Sequence, residues 1–365
     1  MVTDQAKTEK RICVVLDANI WIRERLLNSS IGAAFLYRLA KINGSFALPE
    51  ITEREVISKT ILDGARAVNR IRNDLATVRT LIGKTEEVEL PNDESFAQAA
   101  KDRLEELGDT LIRVEISLGH YKNALERVLL STPPNAAKEQ YRDSLLWEAV
   151  LQLSSNYEIA FITNDSDFYE SNSLDKGLAG ELLKECQSSQ STVSLYRDLP
   201  SYLRSFSQHV PSLDYNNLAL MLSQTIREEQ LQGHIKDKGV ELGDLKEHSI
   251  EAFITERRRI LALRFKLSYR VFNVRQTQII VFDGVPGGRL EQLEEAIVHP
   301  EARLVVSGDC SFDESKNVIF GISLDDIDCV TLSDEPIVGF GVVFMSGLSG
   351  RREIPHQIRR PIDDI

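Results

Sequence analysis

The chain has 365 residues, 42% hydrophobic and 27% charged, the balance of one or two folded domains with ample core. Its formal net charge of −13 argues against gripping nucleic acid over the whole surface, and no apolar run approaches the roughly 20 residues that span a membrane. The polar start, MVTDQAKTEKR, lacks the apolar stretch of a secretory signal, so a cytoplasmic protein is expected.

Ile12–Leu16 is a short apolar, β-branched run that ends at Asp17, as a buried parallel strand would. IWIRERLL and IGAAFLYRLAKI follow as helical segments, closed by Asn43-Gly44. SFALP is a second strand. From Ile51 to Ile82 apolar residues recur every third or fourth position, which predicts a long helix. VELPNDE breaks it, and Ser95–Leu107 and Leu111–Leu130 read as two further helices. STPPN punctuates the chain before a helix in AKEQYRDSLLWEAVLQLSSN. Ile159–Thr163 is a third buried strand, followed by a helix at Leu178–Cys186 and a strand in TVSLYRDL. Strands alternating with helices predict a parallel sheet covered on both faces.

After about Pro200 the pattern changes. Asn217–Lys246 reads as helical and acidic. Leu263–Val274, Thr277–Phe282, Arg303–Ser307, Asn317–Ile322, Cys329–Leu332 and Ile337–Phe344 read as strands of a small, mostly antiparallel domain. Arg257, Arg258, Arg259, Arg264, Lys266, Arg270 and Arg275 make a basic run without an acid, interleaved by Phe265, Tyr269 and Phe272. A phosphate-contacting strip with stacking aromatics fits that run; so does a solvated strand face with its aromatics in the core. The tail GRREIPHQIRRP is a second basic segment. GVPGGRL lacks the Gly-Lys-Ser/Thr ending of a phosphate loop and reads as a turn. The histidines show no ligand spacing. Cys13, Cys186, Cys310 and Cys329 are too scattered for a thiolate metal site and are expected as reduced, buried thiols. Trp21 and Trp147 lie in apolar runs and are expected in the core.

Parallel sheets place ligands at the carboxyl ends of their strands. Asp17 follows the first strand, and Asp165 and Asp167 follow the third. Glu53 and Glu55 lie in the helix after the second strand, and Asp143 opens a helix. Each alone has an ordinary explanation as a helix cap, turn or solvated side chain. Together they predict one acidic cleft, where converging carboxylates need a compensating cation. Mg²⁺ or Mn²⁺ is the matching ion, and phosphodiester hydrolysis is the matching chemistry.

These residues resemble the PIN-domain family of metal-dependent nucleases. The resemblance runs over Ile12–Leu199: Asp17-Ala18-Asn19 after the first strand, Pro49 with Glu55 six residues on, Asp143 in RDSLLWEAVL, then Thr163, Asp165, Asp167 and Phe168. It implies a three-layer α/β/α fold and cleavage, usually of RNA, with Mg²⁺ or Mn²⁺. The implied metal-binding and catalytic set is Asp17, Glu55, Asp143 and Asp165, with Asp167 auxiliary and Asn19 and Thr163 orienting the carboxylates. Glu53 competes with Glu55. Small PIN toxins pass quickly from that Glu to the third acid. This chain instead is similar to larger PIN proteins with an inserted helical bundle, here residues 57–137.

The expected organisation is therefore a PIN-like domain at 11–200, a helical connector at 201–250 and a β-rich accessory domain at 251–365. Nucleic acid, with RNA foremost, is the expected partner; a homo-oligomer or a regulatory protein is left open. A catalytically inactive PIN-fold binding module is the alternative. A haloacid-dehalogenase-like phosphatase would need a second Asp where Asn19 stands.

Overall fold

The computed structural model describes residues 10–84, 87–135, 140–206, 210, 212–227, 231, 240–281 and 292–337. Its contacts divide the chain into two compact units, Met1–Gln208 and His209–Ile365.

In the first unit β1 is Ile12–Leu16, β2 Ser45–Pro49, β3 Leu111–Val114, β4 Glu158–Ile162 and β5 Val193–Tyr196. They form one parallel sheet in the order β3-β2-β1-β4-β5. The helices are α1 Ala18–Arg23, α2 Ser30–Lys41, α3 Glu50–Ile82, α4 Asp93–Glu106, α5 Leu118–Leu130, α6 Tyr141–Ser154, α7 Gly180–Ser188 and α8 Leu199–Arg204. Strand β1 is apolar throughout because it is covered on both faces. Its Cys13 and Val15 join Trp147, Val150, Phe161 and Leu182 in one core layer. On another side Trp21, Phe35, Phe46 and Tyr202 are fully buried and meet ring to ring. Each such burial contributes roughly 1.5–3 kcal/mol. Both tryptophans are core residues, and all four cysteines are buried and free of disulfides.

Leu111–Leu130, expected as one helix, is a strand followed by a helix. Its first four residues are β3, the edge of the sheet, with Leu111 and Val114 buried. A short apolar run spaced three apart suits either state, and pairing with β2 decides it. Helix α5 starts only where Ser117 and His120 form a capping box. The segment expected as purely helical thus also closes the sheet.

In the second unit α9 is Tyr215–Ile226, followed by β6 Glu241–Ile254, β7 Ile260–Val281, β8 Gln292–Asp313 and β9 Val318–Val330. The four strands form an antiparallel sheet in chain order. The helix expected at Asn217–Lys246 is present as α9, but Glu241–Lys246 belongs to β6. Ladder pairing with β7 outweighs the charged, helix-like composition there. The separate strands expected at Leu263–Val274 and Thr277–Phe282 run together in β7 as far as Val281, with Phe282 outside the described residues, and those expected at Asn317–Ile322 and Cys329–Leu332 run together in β9 as far as Val330. Leu218, Leu222 and Ile226 of α9 share a core with Leu263, Phe265, Leu267 and Tyr269 of β7. GVPGGRL, nearly all of the strand expected at Ile337–Phe344 and the basic tail lie outside the described residues, as does the side chain of Arg275. Among the described residues no helix is long and apolar enough to cross a membrane.

Candidate active site

The order β3-β2-β1-β4-β5 reverses direction between β1 and β4. Chains leaving those two strands depart to opposite sides and open a crevice at their carboxyl ends. Asp17 stands at the end of β1, its backbone N–H donating to the Ile162 carbonyl of β4 at 3.0 Å. It occupies the cap position of α1, yet its side chain makes no capping bond. Instead its Oδ2 accepts from Thr163 Oγ1 at 2.9 Å. Thr163 is fully buried, and the same Oγ1 accepts from the Asp165 N–H at 3.0 Å. One hydroxyl therefore ties the ends of β1 and β4 together.

Asp165 Oδ1 accepts from the Asp167 N–H at 3.0 Å, the ordinary turn bond of that segment. Asp167 is held from two sides, by Asn172 Nδ2 at 2.6 Å and by Gln140 Nε2. Asp143 lies in the first turn of α6, three residues after Gln140, and does not cap it. Glu55 lies in α3 one turn before Lys59, whose Nζ stands 2.8 Å from its Oε1. The same Nζ donates to Asn19 Oδ1 at 2.8 Å. Glu53 instead faces Arg113 of β3 at 3.6 Å.

The electrostatics bring the acids together. Burial, then Asp165, Asp17, Glu55 and Asp167, push the Asp143 carboxyl up to about 8. Burial also pushes Asp17 up, to about 6; the Thr163 hydrogen bond and Lys59 oppose this, and Asp165 and Glu55 add to it. Asp17, Glu55, Asp143, Asp165 and Asp167 therefore share one field. Such a donor set of oxygen ligands short of positive charge fits a hard divalent cation. Among the described residues, however, no three acidic, His or Cys side chains are already gathered tightly enough to hold one.

Sequence reasoning missed Lys59, Gln140, Asn172 and Tyr169, whose hydroxyl donates to the Thr163 carbonyl at 2.8 Å. Lys59 had a signal, its i,i+4 spacing from Glu55. The other three depend on how loops fold back, which spacing does not encode.

The basic run lies in the second unit. Arg257, Arg258 and Arg259 are exposed in the turn between β6 and β7. Arg264 pairs with Asp325 and Arg270 with Glu301 at 2.7 Å, while Lys266 is exposed. Phe265 and Tyr269 are buried in the core, so these rings do not stack at the surface beside the cations. Strand alternation sends them to the opposite face.

Against known proteins, residues 14–168 match the family described as PIN domain. No curated protein and no solved structure matches the chain.

Proposed function

Taking residues 14–168 as a PIN domain, whose family is generally one of nucleases that use divalent metals, we propose that this chain is a metal-dependent nuclease acting on RNA. The observation that carries this reading is the shared field of Asp17, Glu55, Asp143, Asp165 and Asp167 at the sheet's switch point. Asp17, Glu55, Asp143 and Asp165 would hold Mg²⁺ or Mn²⁺, with Asp167 auxiliary. When bound, such an ion would lower the pKa of a water it holds and neutralise phosphate charge. Thr163 fixes Asp17 and the Asp165 backbone, so both strand-end carboxylates enter the cleft preorganised. Asn19 and Gln140 orient their neighbours from either side. The acids accept no covalent bond; attack on phosphorus is in line by water, leaving a free hydroxyl and a phosphate end.

Labelled single- and double-stranded RNA and DNA, with Mg²⁺ or Mn²⁺, test this directly. Cleavage is expected with metal and lost with chelator. Asp17→Asn or Asp143→Asn should lower it by about a hundredfold or more while the fold survives. Full activity in both variants would sink the assignment.

A second reading is a PIN-fold binding module without catalysis. It is favoured by the Lys59 ammonium on Glu55. Mn²⁺ titration separates the two: no binding at millimolar concentration supports the module.

A further inference from the structure

Lys59 is a cation set among the carboxylates of the cleft. Its Nζ is 2.8 Å from Glu55 Oε1 and 2.8 Å from Asn19 Oδ1. Its side chain is only 22% exposed, so this is no freely solvated surface pair. An exposed i,i+4 pair contributes about 0.3–0.5 kcal/mol and leaves the lysine mobile. Here a second tether from a different element, the Asn19 amide oxygen at the start of α1, fixes the ammonium in the acidic field. Among the leading charges on Asp17, Lys59 is the cation, and the leading charges on Asp143 are all carboxylates.

We propose that Lys59 is the resident counter-ion of the carboxylate cluster, and that a divalent ion loads only by displacing its ammonium from Glu55. This rests on reading the cluster as a divalent-metal site. The displaced ammonium carries one charge and the ion two, so their like charges oppose each other across the cleft. Asn19 then acts as a holder: it keeps the ammonium in place when the site is metal-free. Lys59 is a positioning residue, acting through Glu55.

Removing the positive charge should tighten metal binding and destabilise the metal-free protein. A lysine that merely braced Glu55 would do the opposite to affinity, because its loss would loosen a ligand. The test uses the full chain, stripped with chelator, as wild type, Lys59→Gln, Lys59→Arg and Asn19→Ala. Mn²⁺ affinity is read by calorimetry and by the electron-spin signal of free Mn²⁺. Lys59→Gln should lower the Mn²⁺ dissociation constant about tenfold, and Lys59→Arg should restore wild-type affinity. Lys59→Gln should also melt lower than wild type when metal-free, and no lower when saturated with Mn²⁺. Asn19→Ala should tighten Mn²⁺ more weakly in the same direction, and it decides the matter if Lys59→Gln does not fold. Binding by the wild type with equal or weaker binding by a folded Lys59→Gln overturns the proposal alone. Silence from every variant overturns the metal site itself, and the proposal with it.

Discussion

Asp143 sits in the first turn of α6, where a positive helix end favours a carboxylate, yet its carboxyl is pushed up to about 8. Burial and four neighbouring acids outweigh the helix. Asp17, one strand end away, is pushed up to about 6. Both groups bind protons more tightly in the folded chain than in an unfolded one, where the ordinary value is 3.8. The stability they contribute is therefore fully present in acid and is lost as pH rises through about 6 and then about 8. Urea unfolding of the metal-free protein should show this decline, and Asp143→Asn should remove its upper step. Above that step the variant should be more stable than wild type by about 1–2 kcal/mol, the usual gain when a functional site gives up its strain. A variant with an unchanged slope would show that Asp143 does not feel the cluster. The placement of Asp17 and Asp165 at strand ends and of Asp143 in the first turn of a helix was legible in the sequence, because apolar runs mark where strands end and helices begin. Glu55 against Glu53 was not: two residues apart on a helix, they diverge only once Arg113 on β3 takes one and Lys59 the other.

At the scale of elements, α5, α6 and α7 are locked by one guanidinium. Arg127 of α5 meets Glu148 of α6 at 2.7 Å, and Glu185 of α7 through two bonds of 2.8 and 2.7 Å. Asn123 donates to the same Glu148 at 2.8 Å, and the Trp147 indole donates to Glu185 at 2.9 Å. Glu148 is 5% exposed, so it is a buried charge that this pairing makes tolerable. Arg127→Met keeps the volume and strands Glu148. It should cost about 3–5 kcal/mol in chemical denaturation, and a double change with Glu148→Gln should recover part of it. A loss no larger than that of an exposed pair would mean that water reaches the network. None of this was readable from spacing, since the three partners lie far apart in the chain. The sheet around it was: β1, β2 and β4 are short apolar runs bounded by turn residues, and β3 escaped because its four residues carry too little pattern.

The whole molecule divides its charge unevenly with respect to the proposed task. Acids crowd the cleft of the first unit, while Arg257, Arg258 and Arg259 stand exposed on a turn of the second. The rest of the basic run is largely spoken for: Arg264 and Arg270 already have acidic partners. Each unit has its own core, the second built from α9 and the antiparallel sheet. Cleavage should then be a property of residues 1–208, and affinity a property of the full chain. The fragment is expected to fold, bind Mn²⁺ and keep its turnover number, while its apparent RNA affinity drops. In the full chain, changing the three turn arginines to Gln should leave turnover unaltered and weaken binding. It should also flatten the dependence of log affinity on log salt by about 2, the effect of removing three phosphate contacts from a single strand. An unchanged salt slope would leave the turn as an ordinary solvated loop. The second unit would then owe its place to something other than RNA, and the acidic cleft would have to recruit substrate through its own metal charge.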